Sequence, residues 1–197
     1  MHDKYTALLS LTPAGVAVVP AGESCLSFNV RSNAVRELPA GRALHARGES
    51  ECFYSISTAP FETRFAVFDA IVCSKPNGTE FRPGMSLNLR FTYANSLGVQ
   101  KLLLLSRQHN GRFPECITLE DLHAMLHDEI KRICTRAATE FSHSTALPYA
   151  HWWNEIKYNR EYCDKIYKPL MQLFMSYGLL LDKDTFSINS LAQMPVT

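Results

Sequence analysis

His123 and His127 stand four residues apart in the run LHAMLHDEI, followed directly by Asp128 and Glu129. On a helix that spacing brings two imidazoles to one side, where they could share a metal ion. The run is not H-E-x-x-H, and no third ligand is marked. At about 100° per residue the two histidines flank an apolar stripe instead of forming a polar face of their own. They read as a helix shoulder, and no metal ligand is assigned. Cys116, in Pro114-Glu115-Cys116, is the thiol most exposed by its surroundings, and His109 is near it in sequence. A Cys–His nucleophile needs an orienting third group and an oxyanion hole, and the sequence marks neither. G-x-S-x-G, P-loop and G-x-G-x-x-G patterns do not occur. No catalytic or cofactor-binding residue is therefore assigned, and no cofactor is expected.

The most unusual local composition is aromatic. Both tryptophans, Trp152 and Trp153, are adjacent, and Tyr149, Tyr158, Tyr162 and Tyr167 lie close by. Neighbours on a helix point about 100° apart, so only one indole readily faces a core and the other suits an interface. Tyr149, Trp152, Trp153 and Tyr158 form the candidate interface. Lys157, Arg160, Lys165 and Lys168 interleave with these rings, as single-stranded nucleic acid would require. Glu155, Glu161 and Asp164 alternate with them and cancel the field, so a solvated mixed-charge face is the expectation.

The chain has 197 residues, 46% of them hydrophobic, enough for one substantial core or two lobes sharing one. Twenty Lys and Arg against 19 Asp and Glu leave a formal charge of +1. No global field draws nucleic acid or an anionic membrane to it, which favours a neutral partner or a protein one, and a protein partner or self-association is the expectation. None of the six cysteines forms a C-x-x-C pair. They read as buried free thiols in a reducing compartment, with Cys73 and Cys134 at positions suited to a small apolar residue. The start lacks a signal peptide, and Pro13 and Gly15 interrupt the apolar stretch from Leu8 to Val19. The expectation is a soluble cytoplasmic protein that reaches a membrane only through a partner or a surface patch. Asn77-Gly78-Thr79 fits a glycosylation sequon but reads better as turn chemistry.

The elements that would position these residues follow from periodicity. Val16, Val18 and Val19, then Glu23 onward, predict two short strands around Pro20-Ala21-Gly22-Glu23. A turn at Leu38–Arg42 leads to a short strand near Ala43–Ala46, and Glu51–Ser57 alternates as another. Thr63 to Tyr93 predicts a long hairpin turning at Pro76–Thr79, where Asn-Gly suits a type I′ turn. Met85, Leu87, Leu89, Phe91 and Tyr93 make its oily face; Ser86, Asn88, Arg90 and Thr92 make a face for water or a partner. Leu97 and Lys101–Leu105 suggest a short helix ending at Asn110-Gly111, although four consecutive leucines also suit a buried strand. Thr118 predicts the N-cap of an amphipathic helix with Leu119, Leu122, Leu126, Ile130, Ile133 and Ala137 on one face. Pro148 opens a further helical region, with a kink or restart expected at Pro169 and an αL end at Gly178. Leu179–Leu181 and Thr185–Ile188 predict a closing strand. The fold class is α+β, a single domain being the simplest count.

Three stretches resemble SPFH (band 7) domains, the stomatin–prohibitin–flotillin group. They are Gly15–Val19 with Leu38–Leu44, then Phe68–Lys75 with Asn77-Gly78, then Phe174–Leu181 leading to Phe186–Leu191. The likeness spans residues 13–192. It implies a module that works by surface burial, without chemistry. Family members often carry a membrane anchor and a coiled coil that drives ring or cage assembly. This chain shows neither pattern and has the longer segment Asp182-Lys183-Asp184, so the likeness implies the surface without the scaffold. The expected function is a non-catalytic protein-interaction or assembly module. The alternatives are a monomeric adaptor for one heterologous protein and a small thiol hydrolase using Cys116 and His109.

Overall fold

The computed structural model describes residues 7–12, 19, 21–39, 41, 50–67, 73–74, 80–81, 84–144 and 160–190. In chain order the strands are β1 (Ala7–Thr12), β2 (Glu23–Asn29), β3 (Val35–Leu38), β4 (Glu51–Ser57), β5 (Phe61–Val67), β6 (Cys73–Ser74), β7 (Glu80–Phe81) and β8 (Met85–Tyr93). Helix α1 (Ser96–Asn110), β9 (Cys116–Thr118), α2 (Leu119–Ser144), α3 (Arg160–Ser176), β10 (Leu179–Leu181) and β11 (Ser187–Ser190) complete the described elements. The class is α+β, as the sequence predicts. Two compact units emerge. One comprises Met1–Phe61, Phe91–Met125 and Leu173–Leu181; the other comprises Glu62–Arg90, Leu126–Gln172 and Asp182–Thr197.

The first unit is organised on an antiparallel sheet of order β3-β2-β4-β1-β9. Leu26 pairs with Tyr54 and Leu9 with Ile56, so these apolar residues share a face. Cys25 and Phe53 project from the opposite face and bury with Leu38 and Val19. The edge strand β3 exposes Arg36 and Glu37, charges that discourage pairing with another sheet. Phe28 packs edge-on against Tyr54 (6.4 Å between ring centres) and Phe113 (4.8 Å). The Arg107 guanidinium lies 4.8 Å over Phe113, and the Tyr54 hydroxyl donates to Pro114 O at 2.9 Å. These contacts fasten the segment that leads from α1 into β9.

Helix α1 settles the ambiguity of its leucines. Leu102 and Leu103 are buried while Leu104 and Leu105 are half-buried, a helical stripe and not a strand alternation. Asn95 Oδ1 accepts from Gly98 N at 2.9 Å, and Gly111 ends the helix at φ 75°, its N–H reaching Arg107 O at 2.8 Å. Thr118 caps α2 as expected. Its Oγ1 accepts from Asp121 N at 3.1 Å, and Asp121 Oδ2 accepts from Thr118 N at 2.8 Å, an aspartate version of the capping box.

The second unit buries Met85, Leu87 and Leu89 of β8, Leu126, Ile130 and Cys134 of α2, and Tyr162, Ile166 and Leu170 of α3. Residues Met85–Asn88 of β8 pair antiparallel with β11, and β5 also pairs with β8. Lys165 of α3 meets Glu140 of α2 at 3.5 Å, where Arg136 also binds Glu140 at 2.9 Å. Phe186 sets its ring 5.4 Å from that of Tyr167, and Lys183 reaches Asp164 at 3.6 Å.

Several expectations are corrected. Strands β1, β3 and β9 form where the sequence reading placed none: β1 and β9 are short and owe their order to partners across the sheet, and β3 is set by its register on β2. The apolar stripe of α2 runs through Cys134, with Ile133 half-buried beside it. Of the kink or restart expected at Pro169 the restart does not occur: α3 is continuous through it, with Tyr162 and Ile166 before the proline and Leu170 after it buried on one face. The polar face of β8 is open only in part: Ser86 is fully buried, whereas Asn88, which donates to Ser187 Oγ at 3.0 Å, Arg90 and Thr92 stay half-exposed. The expected closing strand is two pieces, β10 and β11, separated by Asp182–Phe186. The hairpin stands as far as it is described, with Cys73 opposite Phe81 and Ser74 opposite Glu80. Its Asn77-Gly78 turn and the strand expected near Ala43–Ala46 lie outside the described residues.

Candidate interaction surface

In the first unit, the end of α3 meets the start of α1 through backbone. Tyr177 N donates to Phe174 O (3.0 Å) and Gly178 N to Met175 O (3.1 Å), closing the last turn. Gly178 then adopts φ 76°, the left-handed conformation that glycine takes without a Cβ penalty, and β10 departs from it. Its carbonyl accepts from Ala94 N at 2.8 Å and Asn95 N at 3.4 Å. In the same unit Phe91 stacks on Phe61 (5.6 Å) and tilts against Phe174 (5.2 Å).

Three large apolar side chains are exposed on the segments next to the two glycines. Leu97 is 68% exposed, Leu180 48% and Met175 41%. Leu97 adjoins Gly98, and Met175 and Leu180 lie within three residues of Gly178, so the backbone contact between the two glycines brings together the chain segments that carry them. Leu179 and Leu181 are buried, so the two-residue period of β10 turns Leu180 outward. That signal was present in the Leu179–Leu181 run. Leu97 carried none, because its exposure depends on where α1 starts. Leu11 of β1, at 40%, is the other exposed large hydrophobic among the described residues. An exposed group of this kind, set on fixed backbone, suits burial against another protein surface.

Tyr149, Trp152, Trp153 and Tyr158 lie outside the described residues. Cys116 is exposed on β9, as expected, and its sulfur lies 3.9 Å from Ser10 Oγ. His109 is exposed at the end of α1, and among the described residues no hydrogen bond joins it to Cys116. His127 Nδ1 lies 3.2 Å from Asp128 Oδ1 on α2. Among the described residues, no group of three or more His, Cys, Asp or Glu is placed to hold a metal ion. The cysteines are more varied than expected. Cys25, Cys52, Cys116, Cys134 and Cys163 are all free, but only Cys25 and Cys134 are buried, since the others sit at half-open or edge positions.

Electrostatics separate these thiols. Burial pushes the Cys134 thiol up to about 12. Burial, aided by the Glu23 charge, pushes Cys25 up to about 11. Such thiols stay protonated and chemically inert. Tyr93 faces Glu37 and Ser96, and burial first, then the Glu37 charge, hold its phenol well above the usual tyrosine range. Among the described residues, its hydroxyl has no partner at hydrogen-bond geometry. Nearby on α1, Gln100 Nε2 donates to Asn33 O.

Among the described residues, no helix is long and apolar enough to cross a membrane. A scan against protein-family models finds no match to the chain, and a search of curated proteins finds no similar one.

Proposed function

We propose that this protein is a non-catalytic interaction or assembly module that works by burying apolar surface against copies of itself. The observation that carries the reading is the exposed group Leu97, Met175 and Leu180 around the Gly98–Gly178 junction. A fixed backbone lowers the ordering cost of association, which makes such a group useful as a docking face. The resemblance to SPFH domains belongs to the same proposal. It draws support from α3 ending at Gly178, from β10 following directly, and from Ile188 burying in β11. A reducing, cytoplasmic setting is supported by the five cysteines that are free among the described residues, although Cys116 stands exposed.

The test is solution mass by light scattering on a sizing column over a wide concentration range, for the native chain and for Leu180→Lys. A multi-subunit mass that Leu180→Lys lowers supports the reading. A monomer at every concentration overturns it and leaves a heterologous protein partner. In that event Trp152→Ala and Trp153→Ala would be compared for loss of partner binding at unchanged thermal stability.

A further inference from the structure

We draw no further inference here: the strongest candidate, the exposed side chains of Leu97, Met175 and Leu180 on the segments of α1, α3 and β10 beside the Gly98–Gly178 contact, belongs to the surface already described, and nothing in the structure shows what else covers it.

Discussion

A methyl group placed on Gly98 would lie 1.8 Å from the amide nitrogen of Gly178 and 2.3 Å from its Cα. The reverse holds too, since a methyl on Gly178 would lie 2.3 Å from Asn95 O and 2.9 Å from Val99 N. The neighbours in both cases are backbone, so no side chain can swing aside. Gly98→Ala should therefore destabilise the protein by on the order of 3 kcal/mol or more, the upper end of overpacking effects. Gly178→Ala should do at least as much, because φ 76° adds a conformational penalty. Denaturant midpoints read the outcome; a loss below about 0.5 kcal/mol for both would mean that the two backbones do not touch.

Pro169 sits inside α3, where it removes a backbone donor and crowds the preceding turn. Pro169→Ala should raise stability by about 1–3 kcal/mol, part of the roughly 3 kcal/mol that separates these residues in a helix interior. Thermal unfolding checks it, and a lower midpoint would show that the half-buried ring packs in a way its hydrogen-bond cost does not outweigh.

Two buried serines should answer to alanine in opposite directions. Ser86 Oγ is fully buried and has no hydrogen-bond partner among the described residues, so Ser86→Ala should be neutral or stabilising by up to about 1 kcal/mol. Ser27 Oγ donates to Glu51, and Ser27→Ala should cost about 1–2 kcal/mol by leaving that carboxylate short of a donor. Urea unfolding of both variants gives the comparison directly.

Alkali should weaken the fold through its buried thiols. Cys134 titrates near 12 when folded, raised by burial from a usual value of 9.0. From about pH 9 upward the unfolded chain releases a proton that the folded chain retains, so stability falls until about pH 12 and loses nothing from this source below pH 9. Cys25 acts the same way up to about 11. Cys134→Ala should flatten the decline of the unfolding midpoint across that window. In the native protein at neutral pH, a thiol reagent should modify exposed Cys116 well before Cys25 or Cys134.

What the sequence made legible was whatever its own neighbours dictate. Thr118 and Asp121 announce a cap three residues apart, Gly178 announces a helix end, and the alternation from Met85 to Phe91 announces a strand with a buried face. What stayed hidden depends on distant partners. Ala7–Thr12 becomes a strand because β4 and β9 flank it, and Ser86 is buried by packing its own neighbours cannot reveal. The exposed apolar residues were half legible. Leu180 follows from period two, whereas Leu97 and Met175 are ordinary apolar helix residues until Gly98 and Gly178 bring their surroundings together.

The two units each draw on three separated stretches of chain, the first closing with Leu173–Leu181 and the second with Asp182 onward. During synthesis, neither unit holds its full set of segments until β10 and β11 emerge from the ribosome. Until then Phe91 lacks Phe174, and Leu87 lacks its ladder partner Ile188. Nascent chains should therefore dwell in a form that exposes apolar surface, slow to complete its distant pairings and dependent on chaperones for that interval.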